Sequence, residues 1–410
     1  MPTASATWTW TCCGVCTVST EHHGHSPRLA ARMAEIQPFH VMRLLARARE
    51  LERQGRDIVH MEIGEPDFTA PAAVVEAGVQ ALRGGHSHYT PASGLAELRR
   101  ALADYYRRQY AVDLAARRIL VTPGASGALQ LLLGVLLDPG DEVLMADPGY
   151  PCNRNFVRLY EGCARLVPVG PETRYQLTTD VLRSHWRPGT RVVMLASPAN
   201  PTGTWVTEDD LRAMAALCAE RGAALLVDEI YHGLLYPPRW WTAASLPGEV
   251  FVINSFSKYF AMTGWRLGWL VAPLDYVEAL ERLAQNLFLA APTPAQHAAL
   301  AALDADNLTL LERRREAFRQ RRDYLLPALR RLGFQVPCEP EGAFYIYADC
   351  SALSDDSLDL SRQLLEQAGV AVTPGIDFGH HRADRHLRFA YTTSLERLRE
   401  GVARMADFFN

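Results

Sequence analysis

The sequence predicts an α/β fold, a mostly parallel sheet flanked by helices and accompanied by a smaller α+β domain. Three observations predict it. Between about residue 118 and residue 272, short β-branched or apolar runs alternate with segments of helical periodicity, the rhythm of a parallel sheet covered by helices. The segments that follow five of these runs each supply polar or aromatic groups, as ligand-binding loops at the carboxyl ends of such strands do. At 410 residues the chain exceeds one ordinary core, and beyond residue 273 long helical patterns announce a second body.

Taken in order, apolar residues recur at helical spacing from Ile36 to Arg53, and Gly55 ends the pattern. A turn cluster from Gly64 to Pro71 leads into a helix near Val74 to Leu82. A Gly-rich break and Tyr89-Thr90-Pro91 then precede a helix around Leu95 to Tyr110. The expected strands are Ile119 to Thr122, Glu142 to Ala146, Arg191 to Ala196, Ala223 to Val227, Val250 to Ile253 and Leu267 to Ala272. In the second body an Arg-rich stretch from Arg313 to Arg322 carries Leu308, Leu311, Phe318 and Leu325 at helical spacing, so its charges form a solvated helix face. Short strands follow at Ala343 to Tyr347 and Leu387 to Tyr391. The chain is expected to divide into a disordered tail (1–26), a smaller domain (27–60 with 291–410) and a larger domain (61–290).

Composition narrows the function. Hydrophobic residues at 48% and charged residues at 21% describe a globular protein. A formal charge of −4 offers no field for nucleic acid or an anionic membrane surface. The apolar stretch Leu129 to Leu137 falls short of the roughly twenty residues that span a bilayer. Eight cysteines, dispersed except for Cys12, Cys13 and Cys16, fit a reduced cytoplasm, and the N-terminal tail lacks the parts of a secretory signal. Cys12, Cys13 and Cys16, with His22, His23 and His25, do not follow zinc-site spacing, so no metal is expected.

The chemistry gathers where the strands end. After them stand Gly124-Ala125-Ser126-Gly127, Asp147-Pro148-Gly149-Tyr150, Ser197-Pro198-Ala199-Asn200-Pro201, Asp228-Glu229-Ile230-Tyr231 and Asn254-Ser255-Phe256-Ser257-Lys258. An amine, a carboxylate, an amide, two phenols and several hydroxyls thus meet at one rim, a set suited to a pyridine aldehyde phosphate. No nucleophile elbow, H-E-x-x-H helix or Walker loop is present. Lys258 is the only lysine of the chain, every other long cation being arginine. Arginine cannot form a Schiff base, so this position required an amine.

These segments, together with Gly64-Glu65-Pro66-Asp67, Asn200-Pro201-Thr202-Gly203, Gly264-Trp265-Arg266 and Arg388, resemble class I/II pyridoxal-phosphate-dependent aminotransferases of the aspartate aminotransferase type, with fold type I and its seven-stranded sheet. The resemblance spans nearly the whole chain after about Ser26. It implies that Lys258 carries pyridoxal 5'-phosphate as a Schiff base and later moves the proton from the substrate α-carbon to cofactor C4′. It implies that Asp228 pairs with the pyridine nitrogen, that Tyr231 and Asn200 bond the phenolic oxygen, and that Tyr150 stacks on the ring. Ala125, Ser126, Ser255, Ser257 and Arg266 resemble the phosphate ligands, with Tyr89 reaching in from the partner of a homodimer with shared sites. Arg388 resembles the residue that binds the substrate α-carboxylate, with Gly64 allowing close approach of the backbone.

One departure bears on specificity. Dicarboxylate-specific members place an arginine in the region matching Asn286 to Pro292, and here that region reads Asn-Leu-Phe-Leu-Ala-Ala-Pro. A neutral or aromatic amino donor with 2-oxoglutarate as acceptor is therefore expected rather than strict aspartate use. Two rival readings stand beside it. A C–S β-lyase of the same fold would yield pyruvate, ammonia and a thiol. A non-catalytic regulator would carry an N-terminal helix-turn-helix domain, for which the segment before Pro27 is too short.

Overall fold

The computed structural model describes residues 28–36 and 38–410. The tail residues Cys12, Cys13, Cys16, His22, His23 and His25, and the expectation of disorder before residue 27, lie outside the described residues. The chain divides into two units at Gln37, the second being Pro38–Asn410. What is described of the first is a single 3-10 turn, Ala31–Ala34.

The second unit holds two sheets built from eleven strands: β1 (Val59–Met61), β2 (Ile119–Thr122), β3 (Glu142–Asp147), β4 (Cys163–Pro168), β5 (Thr190–Ala196), β6 (Ala224–Asp228), β7 (Val250–Ser255), β8 (Gly268–Val271), β9 (Tyr345–Asp349), β10 (Val370–Pro374) and β11 (His386–Ala390). Seven of them form the larger sheet in the order β2-β8-β7-β6-β5-β3-β4. All neighbours in it are parallel except β8, which runs antiparallel to β2 and β7. The fold is thus the mixed α/β architecture expected. Side chains alternate between two apolar layers with the period of two that a strand imposes. On β6, Leu225 and Val227 join one cluster while Ala224 and Leu226 join the other, and on β7 Val252 and Ile253 separate in the same way. Each fully buried Val, Leu or Ile contributes about 1.5–3 kcal/mol. The helix Gly124–Leu136 covers one face with Leu129, Leu131, Leu132 and Leu133.

Three strands exceed the expected runs. β4 is an edge strand of sequence CARLVP with mostly half-exposed side chains and Arg165 at its centre; edge strands need no continuous apolar run. β1 and β10 pair in parallel, Val59 with Val370 and Met61 with Val372, in a four-stranded sheet of order β1-β10-β11-β9. β1, at three residues, is too short to stand out of the sequence, β10 was not among the expected runs, and the two pair across some three hundred residues of chain.

The entry helix begins at His40, four residues after the expected start. Phe39 at its N-cap cannot cap it. The amides of His40 and Val41 instead donate to the two carboxylate oxygens of Asp377, at 2.7 and 2.8 Å. The Arg-rich stretch lies in the helix Ala305–Arg331, where Phe318 is buried and Arg319 pairs with Glu316 and Asp323. Arg321 reaches out of that helix to Asp67, 2.7 Å away.

Candidate active site

The carboxyl ends of the central strands open into a cavity of about 320 Å³, within the roughly 300–1,000 Å³ usual for small-molecule sites. Ala125, Ser126, Tyr150, Asn200, Asp228, Tyr231, Ser255, Ser257, Lys258, Arg266, Gly64 and Arg388 all line it. Tyr89 does not; it is 82% exposed.

Asp228 is the last residue of β6 and buried, its Oδ1 accepting from the Ile230 amide at 3.0 Å. Burial pushes its carboxyl up to about 6, while that amide and the Lys258 charge oppose the shift. Lys258 follows the adjacent strand β7, and its Nζ donates to the Gly64 carbonyl at 2.6 Å. Burial pulls its amine down to about 8; Arg388 and Arg266 act in the same direction, against Glu65 and Asp228. An amine neutral above about 8 is a competent nucleophile near physiological pH. Capture of a pyridine aldehyde by the cofactor-free protein is therefore expected to accelerate as pH rises through about 8 and then level off. The growth of visible absorbance after mixing measures it, and a rate flat across that range would remove Lys258 as the capturing group.

Arg388, 5% exposed, projects from β11 opposite Thr373 of β10. Its Nη1 donates to Asn200 Oδ1 at 3.0 Å and its Nη2 to the Glu62 carbonyl at 2.5 Å, while Nε is buried with no partner among the described residues. Tyr345 and Phe378 present their rings to the guanidinium at 4.3 and 4.8 Å. Such flat faces fix the plane of the group without neutralising it. Tyr231 Oη lies 2.8 Å from Tyr345 Oη. A Cβ at position 64 would fall 1.9 Å from that Tyr345 oxygen, so glycine there is what lets the backbone pass beside this phenol and accept from Lys258.

The other end of the cavity suits an anion. The helix Gly124–Leu136 starts without a side-chain cap, leaving its first N–H groups free for a ligand. The hydroxyls of Ser255 and Ser257 lie 2.9 Å apart. Arg266, held in a left-handed conformation (φ 53°), brings its guanidinium so close to Gly124 that a Cβ there would sit 2.7 Å from Nη2. A Cβ on Gly268 would likewise press on Gly124 and on the Ala125 amide at 2.8 and 2.9 Å. These glycines allow strand, helix start and arginine to converge. A phosphate at this end, an aldehyde within reach of Lys258 and a ring nitrogen near Asp228 would each meet a group of complementary chemistry, so the residues present fit pyridoxal phosphate.

Several lining residues were absent from the expected set: Tyr345, Phe378 and Glu62, with Phe39, Val41 and Met42 at the start of the entry helix. Tyr345 stood in an expected strand, but nothing local marks one aromatic among Phe344, Tyr345 and Tyr347. Glu62, two residues before the Gly-Glu-Pro-Asp segment, was the one with a usable signal, a carboxylate beside a singled-out turn.

A family model described as aminotransferase class I and II matches residues 56–405. Valine–pyruvate aminotransferase of Mycobacterium tuberculosis is 37% identical over 93% of this chain and 98% of its own length. Aspartate/prephenate aminotransferase of Thermus thermophilus is 37% identical over 92% of this chain and 98% of its own. The crystal structure of an aminotransferase from Mycobacterium tuberculosis superposes with a TM-score of 0.90 at 36% identity, covering 94% of this chain and 99% of that one.

Proposed function

Because the chain belongs to the class I and II aminotransferases, pyridoxal-phosphate-dependent enzymes, we propose that it moves the amino group of a neutral or aromatic L-amino acid to a 2-oxo acid, 2-oxoglutarate being the acceptor. The composition of the cavity wall carries the choice of donor. Phe39, Val41, Met42, Ile63 and Phe378 supply apolar surface, and the cations among the described lining residues are Lys258, Arg266 and Arg388. With Lys258 on the cofactor, Arg266 on its phosphate and Arg388 on the α-carboxylate, none is left for a carboxylate held against this wall: the short side chain of aspartate would end there, whereas the longer chain of 2-oxoglutarate can carry its second carboxylate to the open mouth beside Tyr150. The two relatives differ in the donor they are named for at the same identity, so the wall supports the choice and the likeness does not.

When bound, the cofactor supplies an aldehyde that accepts the amino group and a ring that accepts the electron pair released at the substrate α-carbon. The chain's own residues do the rest. Lys258 anchors the cofactor and its freed Nζ moves the α-proton. Asp228 holds a proton on the ring nitrogen through a buried charge-assisted bond. Asn200 and Tyr231 hold the ring oxygen, and Tyr150, 40% exposed at the mouth, covers the ring face. Ala125, Ser126, Ser255, Ser257 and Arg266 bind the phosphate. Arg388 orients the α-carboxylate, and Gly64 leaves room beside it.

A panel of amino acids with 2-oxoglutarate tests the reading. Apolar donors are expected to exceed aspartate in kcat/KM by at least about tenfold, since a buried carboxylate without a partner is costly. Aspartate outranking every apolar donor would overturn the donor class, and release of pyruvate with ammonia and a thiol from cysteine conjugates would favour the lyase instead.

The same reading makes the enzyme a cytoplasmic homodimer in which Tyr89 serves the partner's phosphate. Its support is the exposed phenol on a fixed loop. Gln296 Nε2 donates to Thr90 Oγ1 at 3.0 Å and Thr293 Oγ1 to the His88 carbonyl at 2.7 Å. Tyr89→Ala is expected to weaken cofactor binding about tenfold, the loss of one hydrogen bond to a charged group. Mixing it with Lys258→Ala subunits should restore native affinity at the sites that pair an intact Lys258 with an intact Tyr89; no recovery would count against shared sites.

A further inference from the structure

Two side chains beside the cavity have no part in the assignments above. His60 is the middle residue of β1, and its neighbours Val59 and Met61 point into the core, so its ring lies on the other face of the strand. Its Nε2 is 3.1 Å from the carboxylate of Glu52 on the entry helix His40–Arg53, and its Nδ1 is 2.7 Å from Oε1 of Glu62. Glu62 is 0% exposed and its Oε2 has no partner among the described residues. Among the described residues His60 is thus the only hydrogen-bonding partner of a sealed carboxylate, and a buried charge depends on its partner.

The backbone from residue 62 to residue 64 connects this pair to the chemistry. The Glu62 carbonyl accepts from Arg388 Nη2 at 2.5 Å and from Thr373 Oγ1 at 2.8 Å. The Ile63 carbonyl accepts from Thr392 Oγ1 at 2.9 Å, and that of Gly64 from Lys258 Nζ at 2.6 Å. Of these three consecutive carbonyls the first holds Arg388 and the third Lys258, and the first belongs to a residue anchored through its own side chain. We infer that Glu62 is a positioning residue: paired with His60, it locks the peptide whose carbonyl orients Arg388 toward the carboxylate that both substrates carry. The inference rests on the reading of Arg388 as the carboxylate-binding residue.

The bond from Glu62 raises the His60 imidazole to about 9, with Glu52 adding to it and burial opposing. A raised folded value means that the charged pair is complete below the usual imidazole range and is lost as pH climbs through about 9. The other elements packed here bring no competing charge to the ring. β10 presents Ala371 opposite His60, and on the helix Leu395–Phe409 the arginines Arg397 and Arg404 are engaged by Asp57 and Glu400.

The experiment is a cycle of His60→Ala, Glu62→Gln and the double variant, as holoenzymes, with Arg388→Lys alongside. His60→Ala is expected to raise KM for donor and oxo acid together, by about tenfold, with kcat within about twofold. Adding Glu62→Gln should bring KM back to within about threefold of the parent, because it removes the unpaired charge. His60→Gln keeps a donor without the charge, and it should abolish the alkaline rise of KM near pH 9 whether or not the alanine variant folds. Unchanged KM in His60→Ala, a double variant no better than the single, or an alkaline rise that survives His60→Gln would each overturn the inference. If Arg388→Lys also leaves both KM values unchanged, the carboxylate reading itself has failed; if it raises both while the His60 variants do not, only the positioning role has.

Discussion

Replacing Lys258 with alanine is expected to lower kcat at least about 10⁴-fold, since in the proposed mechanism one side chain serves as both covalent anchor and proton carrier. No second amine can take over, because the chain contains no other lysine and the guanidinium groups that share the cavity, Arg266 and Arg388, cannot form a Schiff base. The loss should appear in single-turnover measurements as well as at steady state, which separates chemistry from product release. Small primary amines added to the variant are expected to restore part of the rate, the cavity being open to small molecules. A Lys258→Ala protein that still turned over at a tenth of the parent rate, without added amine, would refute the assignment.

Asp228→Asn is expected to cut kcat by about 10²–10³-fold, the consequence of breaking a buried charge pair on one side, while Lys258 still retains the cofactor. The pH dependence of the parent provides a second measurement. The Asp228 carboxyl is raised to about 6 by burial. In the cofactor-free protein the folded state therefore binds this proton more tightly than the unfolded chain does, and stability contributed by the neutral acid falls as pH rises from about 4 to about 6. With Asp228 proposed to face the ring nitrogen, cofactor binding would run the other way, since a protonated nitrogen there favours the carboxylate. Retention of cofactor should weaken as pH drops below about 6 in the parent, and Asp228→Asn should lack that dependence. Equal acid sensitivity in both proteins would mean that another group holds the ring.

Whether a group of the site is legible in the sequence follows from where it sits along the chain. Asp228, Lys258, Asn200 and Ser126 each come shortly after an apolar run, so strand ends and site coincide in the order of the chain. Lys258 had a second signal in being the sole lysine. Tyr345, Phe378 and Thr373 contribute through β9, β10 and the turn after it, where the functional side chain looks locally like any core residue. β10 itself is recognised only by its register, Val370 with Val59 and Thr373 with Arg388. The same holds for Asp377, which caps the entry helix from a distance of 337 residues.

What the sequence alone determined was the alternation that makes the α/β sheet, the residue types at its rim and the family to which they belong, because periodicity and turn chemistry are properties of neighbouring residues. Tertiary structure alone decided which surfaces face one another. It set Arg388 between Tyr345 and Phe378, gave its hydrogen bonds to Asn200 and the Glu62 carbonyl, and buried Glu62 against His60. Those contacts join segments hundreds of residues apart, and their energies arise from desolvation and close packing, which exist only once the chain has closed around them.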